Sequence, residues 1–267
     1  MYLYMGRKER GRFLRGLPVF DWITTLTGQT IFGGEFVKKV LLSWSSGKDS
    51  AWTLHVLQQS PEIKVVGLLS TINQHFGRVA MHGTRIELVR AQAEAADLPL
   101  WEVPLPWPCS NQEYEHAMAD VCERAVAEDV TAMAFGDLFL EDVRRYRVEK
   151  LQATGLEPIF PLWKQDTRLL LQEMLGAGLK ARIVCVDPSK LEAKFAGKDL
   201  GDSWRDFPAN VDACGENGEF HSFVYAGPMF REPIPIGIGE TVTRDRFVYT
   251  DVLPLAPNLG KDSGKKH

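Results

Sequence analysis

Residues 40–50 read VLLSWSSGKDS, and this stretch decides the fold. The apolar run Val40–Trp44 predicts a buried strand, and the spacing of apolar residues over Ser50–Gln59 predicts a helix that buries one face. A strand that passes directly into a helix places unpaired backbone N–H groups and the positive end of the helix dipole at one point. The stretch therefore predicts a phosphate-binding loop.

The residue types in this loop fit a bound polyphosphate. Gly47 lets the backbone approach an anion closely, and Lys48 supplies a mobile positive charge. The hydroxyl donors are Ser45, Ser46 and Ser50. Asp49 would repel phosphate unless it holds a cation, so we expect it to bind Mg²⁺. The loop is not the common P-loop, because Asp49 replaces the hydroxyl residue of that motif.

Short apolar runs alternate with amphipathic stretches along most of the chain, which predicts an α/β fold on a parallel sheet. Strands are predicted at residues 40–44, 65–70, 100–103, 132–137, 181–186 and 220–225. Helices are predicted at residues 50–59, 85–96, 111–128, 142–154 and 166–177. We expect a nucleotide-binding domain over residues 38–163 and a smaller α+β substrate subdomain over residues 164–256. An N-terminal extension (1–37) and a disordered tail (257–267) are expected to flank them.

The composition argues against several classes of protein. Hydrophobic residues make up 45% of the 267 residues and charged residues 25%, as in globular proteins with a packed core. The net charge of −4 gives no general attraction for nucleic-acid phosphates, which speaks against a nucleic-acid partner. No apolar run approaches the roughly 20 residues that span a bilayer, so no membrane partner is expected. The four cysteines form no C-x-x-C pair, and we expect reduced thiols in a cytoplasmic protein.

A second polar cluster lies in the sequence CGENGEFHSFV, residues 214–224. A tight turn needs only Asn217 and Gly218. The turn alone leaves three side chains unexplained, and these are Glu216, Glu219 and His221. We therefore predict a function for them. Asp137 ends a predicted strand, where it could orient a metal or a substrate or cap the following helix.

Both polar segments resemble segments of known families. SSGKDS resembles the S-G-G-K-D-S pyrophosphate loop of the adenine nucleotide α-hydrolase superfamily, the N-type ATP pyrophosphatases, with Ser46 in place of a glycine. Residues 214–224 and the following GPMF resemble the G-E-G-G-E-Y/F-E-T and G-P-L-F runs of the diphthine–ammonia ligase family, as a bacterial-type variant. The departures are Asn217 for glycine and His221-Ser222 for Glu-Thr. Further residues fall in the order of that family: Trp44, Gly136-Asp137, Asp142, Arg144, Arg147, Pro161-Leu162-Trp163 and Phe195-Ala196-Gly197-Lys198.

The resemblance covers about residues 38–230 and implies a Rossmann-like (HUP-type) ATP pyrophosphatase domain in an ATP-dependent amide ligase. In that chemistry ATP adenylates a carboxylate of the acceptor, pyrophosphate leaves, and ammonia displaces AMP. The resemblance implies that Lys48 neutralises the leaving pyrophosphate and that Asp49 holds Mg²⁺. It places adenine against the strand that ends at Ser70. The polar cluster would admit ammonia, deprotonate ammonium or read the acceptor, which is diphthine or another carboxylate.

Two other functions stay open on the same loop. One is a nucleotide-binding sensor that performs no ligation, although sensing ATP does not require the carboxylates and histidine of residues 214–224. The other is adenylation for tRNA thiolation, although that chemistry generally uses paired cysteines and a basic RNA-binding region. The expected ligands are ATP, Mg²⁺, ammonia and a small-molecule or protein-bound carboxylate. The oligomeric state stays open, and a homo-oligomer is one of the options.

Overall fold

The computed structural model describes residues 37–79 and 83–255. The first half of these residues contains a six-stranded sheet. Its strands are β1 (Lys38–Ser43), β2 (Ile63–Asn73), β3 (Arg78–Val79), β4 (Leu100–Leu105), β5 (Ala132–Ala134) and β6 (Glu157–Ile159). The strand order is β3-β2-β1-β5-β6, with β4 also paired to β2. The β1–β2, β1–β5, β2–β4 and β5–β6 pairs are parallel, and β3 runs antiparallel to β2. The predicted α/β fold on a parallel sheet is confirmed.

Helices follow most of these strands. They are α1 (Lys48–Gln58), α2 (Ile86–Ala95), α3 (Asn111–Ala127), α4 (Glu141–Leu151), α5 (Thr167–Gly176) and α6 (Leu200–Ser203), with 3-10 helices at Ala193–Phe195 and Trp204–Asp206. α3 begins where predicted because Ser110 and Glu113 form a capping box, with backbone-to-side-chain distances of 3.2 and 2.8 Å. α1 begins at Lys48 rather than at the predicted Ser50. None of the helices in the described ranges has the length and apolar character that crossing a membrane requires.

A four-stranded antiparallel sheet forms the second half of the described chain, in the order β8-β7-β10-β9. Its strands are β7 (Lys180–Val186), β8 (Phe220–Ala226), β9 (Ile236–Arg244) and β10 (Phe247–Pro254). The prediction missed β9 and β10, as it missed the short strands β3 and β6 of the first sheet. β9 is an edge strand that contains Gly237 and Gly239, and its residues are exposed or half-buried, so it shows no apolar run.

The strand β1 separates two hydrophobic clusters. Val40 and Leu42 belong to a cluster that also contains Phe223 of β8, whereas Leu41 packs in a second cluster with Met133 of β5. Successive side chains of a strand point to opposite faces, so the clusters lie on the two faces of the sheet. The first cluster contains residues of both sheets, so the packing does not separate the two predicted domains. The predicted domain boundary near residue 164 stays a prediction. The predictions for residues 1–36 and 257–267 lie outside the described residues.

Candidate active site

The phosphate loop lies at the carboxyl end of β1, where the strand order reverses between β2 and β5. Ligands of open α/β sheets bind at such a point. Gly47 is the N-cap of α1, so Lys48 and Asp49 lie in the first helical turn. Lys48 N–H donates to Ser222 Oγ of β8 (3.2 Å), which ties the start of α1 to the second sheet.

The loop hydroxyls order the loop itself. Ser50 Oγ donates to the carbonyl of Gly47 (3.0 Å), and Ser45 Oγ accepts from Gly47 N–H (3.3 Å). The two hydroxyl oxygens lie 3.2 Å apart. These bonds shape the loop. The predicted contacts of Ser45, Gly47 and Ser50 with a nucleotide stay predictions.

Ser46 adopts a left-handed backbone conformation, with φ of 71°. Such a φ suits glycine, which has no Cβ, and it is the position where the resembling loop has glycine. The side chain is buried, and its hydroxyl lies 2.8 Å from Thr84 Oγ1. The Thr84 contact uses one hydrogen-bonding position of this hydroxyl, and nucleotide binding by the Ser46 side chain stays a prediction.

Lys48 joins the two sequence signatures. Its side chain is 3% exposed, and Nζ donates to Asp49 Oδ2 (2.7 Å) and to the carbonyl of Cys214. Burial is the largest single effect and would lower the pKa of Lys48, but the charge and hydrogen bond of Asp49, together with the charges of Cys214 and Glu216, outweigh it and the pKa is raised. Lys48 therefore stays a cation, held between the phosphate loop and the turn after residue 214.

Asp49 has one carboxylate oxygen engaged and one free. Oδ1 is buried and has no hydrogen-bond partner among the described residues, and burial raises the pKa of the carboxyl group. Such an oxygen fits a cation, as predicted for Mg²⁺. The described chain contains no group of three or more His, Cys, Asp or Glu side chains that could hold a metal. A magnesium ion here would therefore take most of its ligands from phosphates and water, as it usually does.

Glu216 points back to the first sheet. Its Oε1 accepts a hydrogen bond from Leu138 N–H (2.9 Å), just beyond the carboxyl end of β5. Burial raises the pKa of Glu216 to about 7, and the neighbouring carboxylates of Asp49 and Asp137 add to the shift. The structure thus brings Glu216 near Lys48 and Asp49, and the catalytic roles predicted for the three residues stay predictions.

Asp137 is held by an arginine. Its Oδ2 lies 2.6 Å from Arg147 Nε, and Oδ1 accepts from Arg147 Nη2 (3.2 Å). The preceding Gly136 packs so closely that a Cβ there would lie 2.9 Å from the backbone carbon of Asp49. Leu140, not Asp137, is the N-cap of α4, so the alternative role of Asp137 as that cap is wrong.

Glu219 and His221 have other surroundings. Glu219 is 3% exposed, and its Oε1 accepts from Asp212 N–H (3.0 Å) and from Asn217 Nδ2 (3.2 Å). These bonds close the turn. His221 lies on β8 opposite Cys185 of β7. Burial and then the charge of Lys48 lower the pKa of His221 to about 4, so the ring is neutral at pH 7.

Gln92 is a site residue that the sequence interpretation missed. It is 0% exposed, and its amide makes three hydrogen bonds. Nε2 donates to the carbonyls of Ser46 (3.0 Å) and Val224 (2.6 Å), and Oε1 accepts from Trp44 Nε1 (2.9 Å). Gln92 thus joins Trp44, which follows β1, to the phosphate loop and β8. A signal was present, because Gln92 lies one turn after Leu88 on the apolar stripe of α2.

Ser70 lies near the end of β2 and holds the adjacent strand. Its buried hydroxyl donates to the carbonyl of Trp44 (2.7 Å), the residue that leads from β1 into the phosphate loop. The adenine contact predicted for this strand end stays a prediction.

Comparison with known proteins identifies relatives of this chain. Residues 38–157 match the family model of the diphthamide synthase N-terminal domain. Over 181 residues the chain is 29% identical to the diphthine–ammonia ligase of Bos taurus. The aligned region covers 61% of this chain and 67% of the bovine protein. Over 177 residues the chain is 31% identical to the diphthine–ammonia ligase of Danio rerio, which covers 60% of this chain and 69% of that protein.

Solved structures show weaker likeness. A predicted tRNA methyltransferase subunit from Methanocaldococcus jannaschii has 13% identity and a TM-score of 0.36 over 55% of this chain and 78% of that chain. A U34-tRNA thiolase from Methanococcus maripaludis has 21% identity and a TM-score of 0.34 over 54% of this chain and 59% of that chain. Both scores are too low to bear on function. The family model and the sequence relatives show that the chain belongs to the diphthine–ammonia ligase family and is an ATP-dependent ligase.

Proposed function

We propose that the protein adenylates a carboxylate with ATP and joins ammonia to it, so that AMP and pyrophosphate leave. The observation that carries this proposal is the pair of bonds from Lys48, one to Asp49 and one to the carbonyl of Cys214. Through them the loop expected to hold phosphates meets the turn that carries Glu216. The names of the bovine and zebrafish relatives support the same reaction.

The proposed chemistry has two steps. A carboxylate oxygen of the acceptor attacks the α-phosphorus of ATP, and the bond to the β-phosphate oxygen breaks. The ammonia lone pair then attacks the acyl carbon, the carbon–oxygen bond to AMP breaks, and one proton leaves the nitrogen. Lys48 and the N–H groups at the start of α1 would stabilise the charge of the leaving pyrophosphate. Mg²⁺, held through Asp49 Oδ1, would supply further charge neutralisation.

Glu216 is proposed as the residue that takes a proton from ammonium. Its pKa of about 7 lies near physiological pH, where a general base is most effective. Leu138 N–H occupies Oε1, so Oε2 is the oxygen expected to accept the proton. Glu219 closes the turn and His221 is neutral, so we propose positioning roles for both.

The acceptor is proposed to bind against the subdomain of residues 164–256. Diphthine is the first candidate because the relatives carry its name, and another carboxylate is the second. The Ser222 hydroxyl that accepts from Lys48 N–H would be retained in the threonine of the resembling motif. Serine in place of threonine at position 222 therefore keeps the contact to the phosphate loop, and this difference does not by itself imply a different acceptor.

The test is product analysis with Mg²⁺-ATP, ammonium and a diphthine-bearing protein or a pool of small carboxylates. Wild type should form AMP, pyrophosphate and an amide only when an acceptor is present. Lys48→Ala should lose this activity, and Lys150→Ala, which removes an exposed lysine paired with Glu115, should keep it. Formation of ADP and phosphate would overturn the proposed mechanism. Tight ATP binding without turnover would favour a sensor, and adenylation of tRNA would favour the thiolation-type reaction.

A further inference from the structure

Arg144 of α4 differs from its neighbouring arginines because it lacks an acidic partner. Its guanidinium carbon lies 5.1 Å from the ring centre of Phe160 and 5.1 Å from that of Trp163. Nε is buried and has no hydrogen-bond partner, and no carboxylate within residues 37–79 or 83–255 forms an ion pair with it. Arg145 pairs with Asp142, and Arg147 pairs with Asp137.

The position of Arg144 places it at the ligand-binding edge of the sheet. α4 begins soon after the carboxyl end of β5, and Phe160 directly follows the carboxyl end of β6. β5 pairs with β1 in parallel, so these ends share one edge with the phosphate loop. The segment between β5 and α4 also contacts the phosphate loop, through Gly136 beside Asp49. It contacts the turn of residues 214–219 through the hydrogen bond from Leu138 N–H to Glu216.

An arginine held against aromatic rings is suited to bind an oxyanion. The guanidinium carbon lies over both rings. The N–H groups of a guanidinium lie in its plane, where they can form paired hydrogen bonds to a carboxylate or phosphate. Aromatic contacts fix the side chain in advance, which reduces the conformational entropy lost on binding. Nothing in the described chain neutralises the charge of Arg144, so a bound oxyanion would supply the missing partner.

We propose that Arg144, positioned by Phe160 and Trp163, binds an oxyanion of a substrate at this edge. Two sources share this chemistry, and they are a phosphate of the nucleotide and a carboxylate of the acceptor. The link to these two ligands depends on the proposed ligase function. The binding of an oxyanion by Arg144 does not depend on turnover.

The experiment compares calorimetric titrations of wild type, Arg144→Gln, Arg144→Lys and the control Arg145→Gln. The probes are AMP, inorganic phosphate and a diphthine-bearing protein. Arg144→Gln should weaken the binding of at least one probe by about tenfold or more, the scale of a lost charged hydrogen bond. Arg144→Lys should weaken the same probe, because an ammonium lacks the planar fork. Arg145→Gln should bind all probes like wild type.

The outcomes separate the two sources. Weaker binding of AMP and phosphate assigns Arg144 to the nucleotide, and weaker binding of the diphthine-bearing protein alone assigns it to the acceptor. Affinities equal to those of Arg145→Gln for every probe would overturn the proposal and leave Arg144 a packing residue. If Arg144→Gln does not fold, as judged by circular dichroism, Arg144→Lys decides in the same way. If wild type forms no amide but Arg144→Gln still binds a probe more weakly than wild type does, this inference stands and the ligase function is rejected.

Discussion

Replacing Gln92 with leucine tests how the site is held together. Leucine has a similar size but makes none of the three hydrogen bonds of the buried amide. The carbonyl of Ser46 keeps a second donor, Val224 N–H at 3.0 Å. Trp44 Nε1 and the carbonyl of Val224 would each lose the bond to Gln92. A buried polar group without its partner costs about 1–3 kcal/mol, and two groups are affected, so the free energy of unfolding should fall by about 2–6 kcal/mol.

Equilibrium unfolding in urea, followed by circular dichroism, measures this loss. Gln172→Leu is the matched control, because Gln172 is an exposed glutamine on α5, and its stability should stay within about 0.5 kcal/mol of wild type. Gln92→Glu should be at least as destabilising as Gln92→Leu, because it places a carboxylate against two carbonyl oxygens. A Gln92→Leu midpoint equal to that of wild type would refute the role given to this amide.

Three further predictions concern stability. Gly136→Ala should lower the free energy of unfolding by about 1–3 kcal/mol, because the new Cβ would lie 2.9 Å from the backbone carbon and 3.0 Å from the backbone oxygen of Asp49. The control Gly176→Ala, at a helix position with open space among the described residues, should not be destabilised. Equal urea midpoints for the two variants would contradict the close approach of Gly136 to Asp49. The folded-state pKa of Glu216 is about 7, above its ordinary 4.5, so the folded state binds the proton more tightly and wild-type stability should fall as pH rises through this window. Glu216→Gln should lack this fall, and unchanged pH dependence in urea titrations would count against the buried carboxyl group. The pKa of His221 is lowered from 6.5 to about 4, so its contribution to stability should be lost as pH falls through this range. The free energy of unfolding of His221→Gln should therefore fall less steeply with pH between about 6.5 and 4 than that of wild type. The same pH dependence in both proteins would show that the ring is not buried as described.

The strand, the loop and the parallel sheet could be predicted because their signals are local. The centre of β1, residues 40–42, is buried on both faces and therefore reads as an unbroken apolar run, and the loop residues follow shortly after it in sequence. β9 and β10 could not be predicted in the same way. β9 lies at a sheet edge and is largely exposed, so its position depends on its pairing with β10 rather than on its own hydrophobicity.

The candidate site was predictable as a set of residues but not as a set of roles. Glu216, Glu219 and His221 lie close in sequence, yet the first reaches Leu138, the second closes its own turn and the third lies within the second sheet. These differences arise from tertiary packing, which spacing along the chain does not encode. The conformation of Ser46 likewise depends on bonds to Gln92 and Val224, both far from it in sequence.

In the proposed reaction a carboxylate of the acceptor attacks the α-phosphate of ATP before ammonia enters. The most direct measurement uses diphthine whose carboxylate is labelled with heavy oxygen, together with ATP, Mg²⁺ and ammonium, and determines by mass spectrometry where the label goes. Direct attack predicts AMP that carries one labelled oxygen and an amide that keeps the other. Labelled inorganic phosphate formed together with ADP, or an amide formed with unlabelled AMP, would contradict the claim.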